Sequence, residues 1–250
     1  MLNSLANHGY LPRDGRNVHA GELTSAIHDV AGFSSALGAV FSHPIFLEHK
    51  QPPGDADSPP PPPPPRSVWA GVWHLLRNPS AILFRFGMRR PGQTDAAGKR
   101  CLNLDQLALP NVIEHDISLT RRDYQQGDNI RPQPDLVQDL LASSSDGGQT
   151  LTAEDLAALR RRRIATQKEA NPGVLYGPLQ HIFACAEIAL LLDVFGDGKK
   201  VRCDFARALF QEERLPVQEG WTRRRGCKRL GIFELGRTTI KIKGLIGVKV

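Results

Sequence analysis

Glu187 is the residue whose sequence surroundings most strongly predict chemistry. It lies four residues after Phe183 and four before Leu191, inside a stripe of apolar residues at helical spacing. Burial disfavours the charged form of a carboxylate, so the pattern predicts a raised pKa and a group that can exchange protons. A glutamate bonded to a neighbouring helix, or one reaching solvent from the edge of the core, fits the same pattern, and both alternatives stay open.

A second candidate site is the segment Glu114-His115-Asp116-Ile117-Ser118. Its two carboxylates and its hydroxyl, at alternate positions, offer hard oxygen ligands for a cation of the Mg²⁺ or Ca²⁺ type. His115 lies between the two acids, which favour its protonated or firmly hydrogen-bonded form. The alternative is a helix start, with Asp116 or Ser118 as the N-cap.

The sequence lacks the motifs of several large enzyme classes. It contains no phosphate-binding glycine loop, no nucleophile elbow of the α/β-hydrolase type and no zinc-protease motif. The four cysteines are too few and too scattered for a disulfide scaffold, and no Cys-x-x-Cys pair predicts structural zinc. The two carboxylate segments are therefore the leading candidates for chemistry.

Helices are predicted to position these side chains. Thr152, with two acids close behind it, is typical of a capped helix start, and the helix could run to about Ala170. Four arginines at 160–163 fall within that helix, where we expect a solvated face with some ion pairing rather than a nucleic-acid contact. The predicted helices are 24–33, 68–76, 152–170, 179–195 and 204–211, and a weak alternation predicts a short strand at 238–242. The predicted fold class is mainly α.

Charge and composition narrow the range of partners. The chain has 250 residues and a net charge of +6, but residues 221–250 hold nine Lys or Arg against one acid. This basic C-terminal segment therefore accounts for the positive charge, and we expect no nucleic-acid partner. No run approaches 18 uncharged apolar residues, so no membrane span is expected. Residues 51–66 include nine prolines and are predicted to be an exposed, stiff loop, more simply an inserted linker than a docking segment.

Four segments give the chain a family resemblance. It resembles the fungal haem-thiolate peroxidases, the family of chloroperoxidase and the unspecific peroxygenases. The matching segments occur in the expected order and span nearly the whole chain. They are residues 2–16, 111–121, 183–187 and 213–216, the last followed by Gly220-Trp221.

The resemblance implies a single all-helical domain over residues 1–250 that encloses haem b, with the proline-rich loop as an insertion. In this family the Glu-His-Asp-x-Ser motif binds Mg²⁺ or Mn²⁺ beside a haem propionate. That would assign to the cation the side chains of Glu114, Asp116 and Ser118 and the backbone carbonyl of His115. The shorter family members pair the histidine of this motif with a downstream glutamate, which here implies that His115 orients Glu187.

The implied activity is that of a haem peroxidase or peroxygenase. Hydrogen peroxide would be the oxidant, and a small organic substrate or a halide would be oxidised or oxygenated. Glu187 would take a proton from the bound peroxide and return it to the departing oxygen. The haem would carry the redox chemistry, while the protein supplies proton transfer, orientation and axial ligation. Nothing in the sequence indicates an oligomeric state.

The family's axial thiolate comes from a Pro-Cys-Pro loop just before the segment that includes Leu2, Asn3, Ala6 and Asn7. The sequence begins at Met1, and none of its four cysteines replaces that thiolate by motif. We therefore expect a chain shortened at its N-terminus, which would be secreted; otherwise the lack of a signal peptide indicates an intracellular protein. The competing hypothesis is a non-catalytic relative that keeps the fold and the cation site.

Overall fold

The computed structural model describes residues 1–49, 87–109, 112–223 and 229–248, and α-helices dominate this part of the chain. In chain order, the α-helices among these residues are α1 (Leu2–Asn7), α2 (Ala20–Ala26), α3 (Ser35–Ser42), α4 (Pro134–Ala142), α5 (Ala153–Ala170), α6 (Pro178–Phe195), α7 (Cys203–Phe210) and α8 (Ile232–Ile246). A π-helical turn and 3-10 turns lie at Ile27–Ala31, Pro44–Phe46, Leu104–Ala108 and Tyr124–Gln126. The predicted mainly α class is confirmed.

Two short strands interrupt the helical pattern. Strand β1 (Thr150–Thr152) pairs antiparallel with β2 (Lys200–Arg202), and Leu151 lies opposite Val201 with both side chains buried. Each strand leads directly into a helix, β1 into α5 and β2 into α7. The ribbon thus fixes the starts of two helices, and strands of three residues are too short to give a periodic sequence signal.

Helix α5 begins with a reciprocal cap. The Thr152 hydroxyl accepts a hydrogen bond from the Asp155 amide at 3.1 Å, and the Asp155 carboxylate accepts one from the Thr152 amide at 2.9 Å. This capping box satisfies amides that the first turn of a helix leaves without partners. The predicted helix of 152–170 is confirmed, since α5 covers Ala153–Ala170.

Helix α6 is the central element of the core. It begins with Pro178 at its first position, where the missing amide costs nothing. By length and composition it is apolar enough to cross a membrane, but 56% of it is buried inside the fold, as is usual for a core helix. Helices α8 and α5 pack against it. The predicted helix of 179–195 is confirmed, as is that of 204–211, which corresponds to α7 within one residue.

Helix α8 overturns the predicted strand at 238–242. Its buried residues are Leu235, Thr239, Ile242 and Ile246, a spacing of three and four that places them on one helical face against α6 and α5. The β-branched residues at 238–242 have some strand propensity, but burial of this face decides the conformation. The prediction was wrong because five residues are too few to separate the two periodicities.

The remaining predictions fall in or near the first half of the chain. The predicted helix of 24–33 corresponds to α2 and the π-helical turn, which together begin at Ala20 and end where Gly32 adopts φ 70°. The proline-rich segment 51–66 and the predicted helix of 68–76 lie outside the described residues.

Two arginines of the basic C-terminal segment bond to the N-terminal part of the fold. Arg223 donates a hydrogen bond to the Asp29 carbonyl, and Arg229 donates one to the His28 carbonyl.

Candidate active site

The structure brings Glu187 and His115 together. The Nε2 atom of His115 lies 3.4 Å from Oε2 of Glu187, an ion-pair contact between α6 and an irregular segment 72 residues earlier. The other ring nitrogen, Nδ1, donates to the Asp116 carbonyl at 2.7 Å. The ring is buried, and Tyr176 packs against it edge-on with the ring centroids 6.1 Å apart. These contacts fix the imidazole so that Nε2 faces the carboxylate.

The pair is held as opposite charges. Burial alone would lower the pKa of His115, but the charge of Glu187 reverses this effect and raises it. Burial alone would raise the pKa of Glu187, but the charge of His115 and then that of Arg160 lower it. The prediction of a raised pKa for Glu187 was therefore wrong, because two cations compensate for the loss of water around its carboxylate.

The Glu187 side chain reaches solvent. Burial is the first influence on its pKa, yet its side chain is 51% exposed, so the carboxylate is surrounded by protein while solvent still reaches it. Phe183 and Leu190, about one turn away on either side, are half-buried. Most of the predicted apolar stripe is thus only partly buried. The most buried face of α6 is a different one, formed by Ala184, Cys185, Ile188, Ala189 and Leu192.

The segment that carries His115 is an irregular turn and not a helix start. Ile117 adopts φ 62°, and its amide donates to the buried Asp123 carboxylate at 2.7 Å. The Asp116 carboxylate accepts hydrogen bonds from the backbone amides of Leu175 at 2.9 Å and Tyr124 at 3.3 Å. The two aspartates therefore hold this turn in place, and with it the position of the His115 ring.

The residues predicted to bind a cation are only partly gathered. Among the described residues no three Asp, Glu, His or Cys side chains form a group that could hold a metal ion. Both oxygens of Asp116 accept from backbone amides, and the Ser118 hydroxyl accepts weakly from the Thr120 amide at 3.4 Å. Burial and the charge of Glu187 raise the pKa of Glu114 to about 7.

The predicted N-terminal segment lies beside the same region. The side-chain amide of Asn3 donates to the Glu213 carboxylate at 2.8 Å, and that of Asn7 donates to the Glu213 backbone carbonyl at 2.9 Å. The Glu213 carboxylate also lies 3.6 Å from the Arg121 guanidinium. Ala6 is buried in the hydrophobic core, and Leu2 packs against that core. The segments at 2–16, 111–121 and 213–216 thus meet, and the 111–121 segment also carries His115 to Glu187.

Arg160 is a site residue that the sequence did not predict. Its side chain is fully buried, with Nη2 at 3.9 Å from Oε2 of Glu187 and Nη1 donating to the Ile117 carbonyl. The expectation of a solvated arginine run was wrong for Arg160 and Arg163, which are buried, since only the other two arginines are exposed. A signal was present: Arg160 lies four residues after Leu156 and four before Ile164, both buried.

The described cysteines are unsuited to act as ready thiolates. Cys101, Cys185 and Cys203 are free and buried, and burial raises the pKa of each thiol. Cys185 lies 3.9 Å from Nε2 of His181, whose Nδ1 is 3.2 Å from the Tyr176 hydroxyl. These thiols belong to the packed core of the described chain.

Comparison with known proteins identifies the family of the chain. The model of the family described as "Peroxidase, family 2" matches residues 1–226. The chain belongs to peroxidase family 2. The resemblance inferred from the four segments is thereby confirmed.

A curated relative in the same comparison is the chloroperoxidase of Leptoxyphium fumago. It is 25% identical over an alignment of 236 residues, which covers 88% of this chain and 52% of that protein. The chain therefore spans about half the length of the curated relative it matches. Family membership and the Glu187–His115 contact support the function proposed below.

Proposed function

We propose that this member of peroxidase family 2 binds haem b and uses hydrogen peroxide to oxidise or oxygenate a small organic substrate or a halide. The observation that carries the proposal is the Glu187–His115 pair, in which a buried imidazole contacts a carboxylate that solvent reaches. The pair is contributed by two of the four segments that carry the family resemblance. Family membership supports the proposal independently.

We place the cofactor beside the exposed part of α6 that carries Glu187. Phe183 and Leu190 would contact the haem or the substrate, and the α1 residues Leu2, Asn3, Ala6 and Asn7 would adjoin the haem. We assign no axial thiolate to Cys101, Cys185 or Cys203, because burial raises the pKa of each. When bound, the haem would supply the redox chemistry of peroxide cleavage.

Glu187 is assigned the proton transfers. Its lowered pKa keeps it ionised and ready to accept a proton from peroxide. His115 and Arg160 both approach Oε2, and we assign the transferred proton to the other oxygen, Oε1. The same proton would then pass to the departing oxygen, which leaves as water. His115, held by its bond to the Asp116 carbonyl, would keep the carboxylate oriented through both transfers.

A divalent cation is assigned to the turn that precedes Asp123. Glu114, the His115 carbonyl and Ser118 would supply ligands for Mg²⁺ or Mn²⁺. Burial and the charge of Glu187 raise the pKa of Glu114 to about 7. A bound cation would balance the negative charge of this carboxylate and so favour its ionised form. Asp116 serves this site by fixing the turn through its two backbone hydrogen bonds.

The proposal is tested by loading the protein with haem and following peroxide-dependent oxidation of a small phenol. Glu187→Gln should retain haem, seen in its absorption spectrum, but lose about 100-fold or more in turnover, as is usual when a general base is removed. Glu169→Gln, at an exposed position on α5, is the control and should keep the wild-type rate. Equal rates for the two variants would refute the role of Glu187. A wild-type protein that takes up no haem would refute the proposed function and favour the non-catalytic alternative.

A further inference from the structure

Arg160 is a buried cation with most of its hydrogen-bonding capacity unused. The side chain is 0% exposed, and Nη1 donates to the Ile117 carbonyl. Its Nε and Nη2 atoms have no hydrogen-bond partner among the described residues. A guanidinium stays charged at any working pH and is rarely buried without an anion. The carboxylate that Nη2 approaches is that of Glu187, at 3.9 Å.

The placement of Arg160 links both halves of the Glu187–His115 pair to one rigid helix. Nη1 bonds to the turn that carries His115, while Nη2 faces the oxygen of Glu187 that His115 also approaches. Helix α5 is capped at its start and is well placed to act as a fixed reference. Without this cation, the half-exposed Glu187 side chain would keep, among the described residues, the ion-pair contact with His115 alone.

Arg163 provides an internal comparison. It lies one turn further along α5, is also buried, and donates from Nε to the Ser118 carbonyl at 3.2 Å. The two arginines therefore bond to carbonyls of adjacent residues in the same turn. Within the described part of the chain, an ion pair with Glu187 is formed by Arg160 and not by Arg163. A displacement of Glu187 that follows the loss of Arg160 but not the loss of Arg163 would therefore point to the Glu187 contact.

We propose that Arg160 is a positioning residue that holds the Glu187 carboxylate beside His115. Its effect on peroxide turnover rests on the proposed function, but its effect on the position of Glu187 does not. Lysine is a poor substitute, because a single ammonium group lacks the planar fork that reaches the Ile117 carbonyl and Glu187 at once. The role differs from that of Glu187 itself, since Arg160 exchanges no proton.

Crystal structures of the haem-free variants give the first test. In Arg160→Met the Glu187 carboxylate should move by about 1 Å or more from its 3.4 Å contact with His115. In Arg163→Met, which loses a comparable backbone contact, that distance should stay unchanged. Should Arg160→Met fail to fold, Arg160→Lys is the second variant, because it keeps a buried charge. The lysine should still lose either the contact with Glu187 or the hydrogen bond to the Ile117 carbonyl. An unmoved carboxylate and an intact Ile117 contact in the folded Arg160 variant would overturn the proposal.

Kinetics of the haem-loaded protein give the second test. Loss of about 1 Å in positioning predicts a fall of about 100-fold in kcat/KM for peroxide, with little change in KM for the organic substrate. Arg163→Met should lose thermal stability with a much smaller change in this ratio. Equal losses of kcat/KM in the two variants would show a merely structural role and overturn the proposal. If wild-type protein has no turnover, the proposed function fails while the crystallographic result still decides the role of Arg160.

Discussion

Asp123 offers a sharp test of how the candidate site is held together. Its buried carboxylate accepts a hydrogen bond from the Ile117 amide at 2.7 Å through Oδ1 and one from the Asn171 side-chain amide at 3.1 Å through Oδ2. It therefore ties the turn that carries His115 to the end of α5. In Asp123→Asn the new amide can accept from Ile117, but its NH₂ group then faces the NH₂ group of Asn171.

The expected cost follows from these two bonds. Asn171 cannot simply rotate its amide, because its Oδ1 accepts from the Gly173 amide at 3.2 Å. The variant thus loses one buried hydrogen bond to a charged group and leaves two donors opposed, which corresponds to about 2–3 kcal/mol of unfolding free energy. For a chain of this size, the melting temperature should fall by roughly 5–10 °C. The second substitution Asn171→Asp, added to the first, exchanges donor and acceptor and should restore most of the loss.

Thermal and urea unfolding of the single and double variants measure these differences. Asp105→Asn, at an exposed position, is the control and should change the unfolding free energy by less than about 0.5 kcal/mol. The reasoning is refuted if Asp123→Asn unfolds at the wild-type temperature. It is also refuted if the double variant is no more stable than Asp123→Asn alone, because the two side chains would then not act as a donor–acceptor pair.

Two further predictions concern the elements that support the site. Burial alone would raise the pKa of Asp155, but the hydrogen bonds from Thr152 lower it below its ordinary 3.8. Its contribution to stability is complete above about pH 5 and is lost as the pH falls through its folded pKa. Unfolding curves from pH 7 to 3 should therefore show a smaller acid loss in Asp155→Asn than in wild type, and equal losses would contradict this assignment. In Gly196→Ala the added Cβ would collide with the carbonyl oxygens of Lys200 and Leu192, which predicts a loss of about 1–3 kcal/mol in urea unfolding. Gly236→Ala, with open space around it on α8, should instead be neutral or stabilising by up to about 1 kcal/mol.

Sequence signals that lie within a single helix predicted two helices closely. The start of α5 is visible in the sequence because Thr152 and Asp155 cap each other over three residues and require nothing from the rest of the fold. The length of α6 is equally visible, because its apolar residues recur over five turns. The strand wrongly predicted within α8 shows the limit, since its conformation depends on the buried face presented to α6.

The arginine run shows why a side chain's environment is harder to predict than its helix. Four consecutive arginines point around the whole circumference of α5, so some must face the core whichever side is packed. Arg160 and Arg163 do so, and their partners are backbone carbonyls in a turn more than 40 residues away. That turn depends on the positive φ of Ile117 and on the bonds to Asp116 and Asp123, none of which gives a sequence pattern.

Glu187 and Glu114 show how the same long-range contacts shift the pKa values of two neighbouring carboxylates in opposite directions. Both acids lose water on folding, and each repels the other's charge, so burial alone would raise the pKa of both. His115 and Arg160 approach Glu187 at 3.4 and 3.9 Å and lower its pKa, while the pKa of Glu114 rises to about 7. Neighbouring acids whose pKa values are driven apart in this way can take different roles. These opposite shifts support the proposed assignment of the proton-accepting role to Glu187 and of the cation to Glu114.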